Sequence, residues 1–366
     1  MNNNWINSLN YAFFENISTM SSANLNKYIN IVIFDLDGTI IKTKSGKTFP
    51  TNKNDWIFNY ENIVSVMNNL ENTIIGIVSN QKGLKSDIQI KDWQDKINNI
   101  CKSIKFHFVF ASFKDDRYRK PMISSWDFLK EKFKNLNIPN SNITYIGDAA
   151  GREGDHNDTD LKFALNCEFK FKTPEKFFEI KIPKQTITVT YPELTYYTKT
   201  EFNSITKQIT SKFKENEKVL VVMVGFPGCG KSYLRKLFIN EFNNFKYYNK
   251  DDIKNKVISN NLISKHNTNI DFIIDDNTNT NLKNRTELYK IYETHYKIGI
   301  YFNYELDLAM HLNYIRMYWY GAELVKKVAY HTLNKKFDIP DNKEFNLLVT
   351  LDKIIPDFET SIKYYF

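Results

Sequence analysis

Cysteine is scarce in this chain, and so are the long apolar runs that a membrane would require. Only Cys101, Cys167 and Cys229 occur among 366 residues. They are widely spaced and, with the six histidines, form neither a zinc-ligand pattern nor a disulfide framework. No apolar stretch reaches the ~18 residues of a membrane span. The start, Met1-Asn2-Asn3-Asn4-Trp5, lacks the basic and apolar regions of a signal peptide. These absences argue against a disulfide scaffold and a zinc module, and predict an intracellular protein without a membrane partner. There is also no internal repeat and no extended low-complexity tract.

What is present is ordinary globular composition, 42% hydrophobic and 25% charged, in a chain long enough for two domains with separate cores. The net charge of +8 fits either a lysine-rich solvated surface or a polyanionic partner such as nucleic acid. The abundance of Asn, Lys and Ile weakens the argument from charge. Strand-like runs recur at Ile31 to Phe34, Ile74 to Val78, Phe106 to Ala111 and Ile143 to Ile146, separated by helical patterns at Trp93 to Ile104 and Trp126 to Phe133. A second series begins at Val219 and continues through Phe245 to Tyr248, Phe272 to Asp275 and Ile298 to Phe302, followed by a helical Asp307 to Trp319. Alternating strands and helices predict an α/β protein with two doubly wound parallel-sheet domains. The expected boundaries are an N-terminal segment over 1–25, a first domain over 26–182, a linker over 183–205 and a second domain over 206–366. Pro183 and Pro192 flank the linker's Tyr-rich stretch, in which a short strand is possible.

In the first half, Asp35-Leu36-Asp37-Gly38-Thr39 leaves a buried strand and so places two carboxylates at the carboxyl end of a sheet, where open α/β sheets bind ligands. Asp35 can attack phosphorus and form an aspartyl-phosphate. Asp37 can protonate the leaving alcohol and then activate water. Such chemistry also needs a hydroxyl or amide donor to the phosphate, a cation against its charge and a further carboxylate for Mg²⁺. Ser79-Asn80, Lys120 and Asp148 supply these in order, each after an expected strand. The four motifs resemble those of the haloacid-dehalogenase-like phosphatases.

In the second half, Gly225-Phe226-Pro227-Gly228-Cys229-Gly230-Lys231-Ser232 follows the strand Val219 to Val224, giving a P-loop in its required context. Gly225, Gly228 and Gly230 let main-chain N–H groups surround ATP phosphates, Lys231 spans them, and the Ser232 hydroxyl can ligate Mg²⁺. Asp251, in Asn249-Lys250-Asp251-Asp252, is placed to take a proton from an accepting hydroxyl, to cap a helix, or both. Asp275 to Asn279 sets acid and amide groups at another strand end. Arg285 and Arg316 lie on expected helices and could reach the γ-phosphate from a lid, although either alone reads as a surface arginine.

Together these pieces resemble the polynucleotide kinase 3′-phosphatase family over nearly all of residues 25 to 366. Stretches beyond the generic motifs carry the resemblance: Ser45-Gly46-Lys47, Asp55-Trp56, Ser79-Asn80-Gln81, Tyr118-Arg119-Lys120-Pro121, Gly147 to Arg152, Asn277-Thr278-Asn279 and Lys335-Lys336-Phe337-Asp338. The resemblance implies a nucleophile at Asp35 and an acid/base at Asp37. It implies metal ligation by Asp35, Asp37, Asp148 and Ser232, a base at Asp251 and a lid arginine at Arg316. Asp155 and Asp160 match acidic family positions, and Tyr314 stands where the family has arginine. Mg²⁺ and ATP are the implied cofactors. DNA strand ends bearing 3′-phosphate or 5′-hydroxyl are the implied partners, with a DNA ligase downstream and RNA ends as the alternative. No phosphopeptide-binding domain is expected, and the location would be the nucleus for a cellular member or the cytoplasm for a viral one. A nucleic-acid scaffold with decayed sites is disfavoured by the intact residue sets, and a fused sugar phosphatase and metabolite kinase by the longer stretches.

Overall fold

The apolar runs become strands, and the strand ends gather the motifs. The computed structural model describes residues 5–17, 25–136, 138–183, 185–242, 244–249, 270–356 and 366. The chain divides into two units, Met1–Tyr191 with Lys363–Phe366, and Pro192–Ile362.

The first unit contains β1 (Ile6–Asn7), β2 (Tyr11–Glu15), β3 (Asn30–Phe34), β4 (Ile41–Lys42), β5 (Ile57–Phe58), β6 (Thr73–Asn80), β7 (Phe108–Ser112), β8 (Ile143–Ile146) and β9 (Lys170–Lys172). β4 and β5 form a two-stranded ribbon, and the others form one sheet in the order β1-β2-β7-β6-β3-β8-β9. The five strands from β7 to β9 pair in parallel, whereas β2 runs antiparallel to β7 and β1 antiparallel to β2. This corrects the expectation of a wholly parallel sheet and of a separate segment over 1–25. Ala12, Phe13 and Phe14 are buried. They cover the edge of β7 that would otherwise expose unpaired backbone groups.

Helix α1 (Asp87–Ile100) opens with a reciprocal Ser86/Gln89 capping box. Its Trp93, Ile97 and Ile100 recur at helical spacing and enter the core beneath β3 and β6. Helices α2 (Ser124–Lys132) and α3 (Thr159–Asn166) follow. Phe34 at the end of β3 opposes both Ile77 of β6 and Ile146 of β8, and Asn80 opposes Ser112. That register brings Asp35, Ser79-Asn80 and Gly147-Asp148 to one edge of the sheet.

The second unit opens with α4 (Lys199–Glu215), whose Thr198 and Glu201 form another capping box. It therefore begins inside the expected linker. Tyr196 bridges Ile354 in this unit, while Thr188 donates its N–H to the Gly151 carbonyl in the first. The segment 183–205 is thus shared between the two units. The sheet comprises β10 (Val219–Val224), β11 (Lys246–Tyr248), β12 (Phe272–Asp275), β13 (Tyr296–Phe302) and β14 (Leu347–Leu351) in the order β11-β12-β10-β13-β14, every pair parallel. β10 is central and buried at every residue, as a strand covered on both faces must be. Helices α5 (Lys231–Glu241), α6 (Leu282–Ile291), α7 (Leu306–Tyr320) and α8 (Lys327–Asn334) complete the unit. No helix among the described residues is long and apolar enough to cross a membrane.

Candidate functional site

The first unit concentrates charge at the carboxyl edge of its sheet. Lys120 Nζ is buried and donates to Asp35 Oδ1 at 2.7 Å, Asp160 Oδ1 at 2.7 Å and the Tyr145 hydroxyl at 2.5 Å. Asn80 fixes the lysine's main chain from both sides, accepting from Lys120 N at 3.0 Å and donating to Lys120 O at 3.1 Å. Ser112 in turn donates to the same Asn80 oxygen. Thr39 donates to Asp148 Oδ1 at 3.1 Å. Gly38 sits at φ +83° with Asp148 so close that a Cβ would fall 2.5 Å from its Oδ2, so both the turn and the approach require glycine.

Asp35, Asp148 and Asp160 each offer an oxygen within 4.8 Å of the others. One ammonium faces three carboxylates, which leaves a buried negative excess. Burial first, and Asp160 and Asp148 with it, push Asp35 up to about 8 against the pull of Lys120. Burial and Asp160 push Asp148 up to about 6. A divalent cation would relieve this excess, and the oxygen-only donor set suits a hard ion. One residue of the expected metal set stands apart from the cluster. Asp37 is not part of the cluster; its Oδ2 accepts from Gln81 Nε2 at 2.6 Å, and its side chain is 51% exposed against 12% for Asp35. Ser79 is buried and accepts from the same Gln81 amide at 3.0 Å. Asp160 and Tyr145 are the residues that sequence reasoning left unsecured or missed. Asp155 binds Arg152 and the Ala150 and Arg152 N–H groups, so it braces the Asp148 loop.

In the second unit, Gly225 to Ser232 joins β10 to α5. Gly225 N donates to Thr278 O at 2.9 Å, and Asn279 Nδ2 donates to Met223 O at 3.0 Å and Asp275 Oδ1 at 2.8 Å. The Asn277-Thr278-Asn279 stretch therefore pins the loop. Gly228, at φ +83°, passes so close to α7 that a Cβ would lie 3.1 Å from Asn313 N. Tyr330 of α8 donates to Pro227 O at 2.9 Å. Lys231 Nζ is buried on the carbonyls of Gly225 and Phe226, at 3.0 and 2.5 Å. Burial lowers its pKa, and the positive charge of Arg316 lowers it further. Asp276, one residue past β12, is buried beside these groups. It pairs with Arg235 at 3.1 Å and accepts a hydrogen bond from Ser232, yet burial still raises its pKa. Asp276 is the carboxylate that a metal held by Ser232 would meet.

The expected site residues of this unit do not all converge. Arg316 donates to Asn313 Oδ1 and Glu323 O on the α7 side of the loop. Asp251 lies outside the described residues. Arg285 is corrected from both earlier readings, a lid cation or a surface arginine. It is fully buried, forks onto Glu344 at 2.8 and 2.9 Å, and donates to the Asn279 and Asp338 carbonyls. With its donors spent inside the fold, it ties α6 to the segment before β14. The three cysteines are free thiols, and burial pushes Cys229 in the loop up to about 11.

The sequence profile of the family described as "Polynucleotide kinase 3 phosphatase" matches residues 30–178, the part that carries the first site. A protein of Schizosaccharomyces pombe named "Bifunctional polynucleotide phosphatase/kinase" is 31% identical over 352 residues, covering 93% of this chain and 84% of the relative. An Acanthamoeba polyphaga mimivirus protein named for the same two activities is 31% identical over 360 residues, covering 86% of this chain and 82% of the relative. A Saccharomyces cerevisiae protein named "Polynucleotide 3'-phosphatase" is 27% identical, covering 41% of this chain and 87% of that protein. With one centre built around Asp35 and Lys120, another around Lys231, and this similarity across almost its whole length, the chain belongs to the bifunctional polynucleotide phosphatase/kinase family.

Proposed function

We infer that this chain heals broken polynucleotide ends, removing 3′-phosphates at an HAD-like centre in the first unit and phosphorylating 5′-hydroxyls at a P-loop centre in the second. The observation that carries this reading is the buried Asp35–Lys120–Asp148–Asp160 cluster at a strand edge, in a chain that also holds Lys231 in a phosphate-binding loop. DNA ends are the substrate we favour, and a DNA ligase is the class of enzyme that would use the products.

Asp35 attacks the phosphorus of the terminal 3′-phosphate, and the bond from phosphorus to the 3′-oxygen breaks. Asp37 gives that oxygen its proton. It then takes a proton from the water that attacks the aspartyl-phosphate, releasing inorganic phosphate and regenerating Asp35. Lys120 keeps Asp35 oriented and offsets phosphate charge. Asp35, Asp148 and Asp160 would hold the divalent ion, taken here as Mg²⁺, which supplies charge neutralisation at the phosphate. In the second unit Lys231 leaves its carbonyl partners for the ATP phosphates. Ser232 and Asp276 would hold a divalent ion there, supplying charge neutralisation at the phosphates, and Arg316 is our candidate cation for the transferring group. Asp251 is our candidate base on the 5′-hydroxyl.

The test is a nicked DNA duplex carrying 3′-phosphate and 5′-hydroxyl, incubated with Mg²⁺ and ATP and then with a ligase. Conversion of both ends and sealing of the nick is the expected result. Action confined to RNA ends would move the substrate class, and inertness toward both would overturn the reading.

A further inference from the structure

The phosphatase centre has a second lysine whose position the chemistry above does not use. Lys96 comes from α1, and its side chain is only 6% exposed. Its sole charged partner among the described residues is Asp37, with Nζ 3.9 Å from Oδ1, beyond hydrogen-bond reach. Neighbouring cations are better satisfied. Lys91 pairs with Asp95 at 3.4 Å, and Lys53 pairs with Asp92 at 3.3 Å and Asp95 at 3.2 Å. Asp37 cannot turn wholly to Lys96, because Gln81 holds its other oxygen. The Lys96 stem is buried, while its ammonium, with no hydrogen bond among the described residues, still reaches solvent beside Asp37, where a phosphate can meet it.

Its place indicates which ligand. The attacked phosphate belongs at Asp35 and Lys120, in the buried part of the site. Asp37 faces the leaving 3′-oxygen and is half exposed, so it marks the side on which the remainder of the substrate leaves the pocket. Lys96 stands on that side. We propose that Lys96 is a strand-binding residue of the phosphatase site, taking the phosphodiester on the 5′ side of the terminal nucleotide. This rests on the polynucleotide 3′-phosphatase reading and adds how the site would prefer a strand over a mononucleotide. Phosphate contacts of this kind position a strand without reading its sequence.

The experiment compares a 3′-phosphorylated hexathymidylate with thymidine 3′-monophosphate, which has no phosphodiester. For Lys96→Met, kcat/KM on the hexamer should fall roughly tenfold further than on the mononucleotide, chiefly through KM. The log–log salt slope on the hexamer should shrink by about 0.7. Lys96→Arg should retain most of the hexamer preference. Kinase activity of each variant normalises the amount of intact chain, and far-UV circular dichroism with the thermal midpoint of the first unit reports that Lys96→Met and Lys96→Arg still fold. Equal losses on both substrates, or a loss confined to kcat, would overturn the proposal and make Lys96 a support of Asp37. A wild-type protein that prefers the hexamer no more than the mononucleotide would overturn it as well. A wild type inactive on every 3′-phosphate would instead sink the underlying functional reading.

Discussion

The two centres are charged in opposite senses. In the first unit three carboxylates crowd one ammonium, and the negative excess drives Asp35 and Asp148 above the ordinary carboxylate range. In the second, Lys231 is buried on main-chain carbonyls within reach of the charge of Arg316, while Asp276, whose charge also reaches it, is already paired with Arg235. A site short of positive charge is suited to a metal ion, and one short of negative charge to a polyphosphate. Both sit at carboxyl ends of parallel strands, so the difference comes from the side chains that the following loops and helices present rather than from sheet architecture.

If the centres are chemically independent, each should be removable alone. Asp35→Asn should cut 3′-phosphatase turnover by about 10,000-fold or more, because a nucleophile has no substitute in this mechanism. 5′-Phosphorylation by the same preparation should stay within twofold of wild type. Loss of both activities in an end-labelled assay would break the comparison. Lys231→Met should have the reciprocal effect, lowering kinase kcat/KM by about 100- to 1,000-fold. It should also abolish the rise in thermal midpoint that ATP gives the wild type through binding to the folded state.

Arg285 separates a functional cation from a structural one. Arg285→Ala leaves the half-buried Glu344 without its fork partner and frees two carbonyls that it had satisfied. The expected cost is about 3 kcal/mol in denaturant unfolding of the second unit. Kinase KM for ATP should be unchanged at low temperature, where the unit is still folded. A large KM effect without loss of stability would return Arg285 to the ATP site.

Legibility in the sequence followed locality. Asp35, Lys231 and the strands Ile143–Ile146, Val219–Val224 and Phe272–Asp275 were readable because motif and apolar run are contiguous. Asp160 was harder. It comes from a helix, and it joins Lys120 from 40 positions away. Tyr145 looked like one more apolar residue of β8, although its hydroxyl reaches Lys120 and Val78 O. Arg285 was misread because a charge on a helix carries no mark of its partner, here 59 residues distant. The β1–β2 hairpin was hidden by its length: two and five residues between polar flanks give periodicity little to act on. Lys96 was overlooked for the same reason as Arg285, since its relation to Asp37 exists only in the folded chain.

The smallest expected effect tests the charge argument most directly, because it needs no substitution. A carboxylate whose pKa is raised in the folded state binds its proton more tightly there than in the unfolded chain. Its contribution to stability is therefore present below about pH 4 and is lost as pH rises through the folded value. For Asp148 and Asp35 that window runs from about 4 through about 6 to about 8. In chelator the thermal midpoint of the first unit should fall by several degrees between pH 5 and pH 8. Saturating Mg²⁺ should flatten that slope, because a bound cation favours the ionised carboxylates that the metal-free fold resists. A midpoint that rises over this range in chelator would mean that Lys120 alone balances the cluster. The contrast between the two centres would then lose its physical basis.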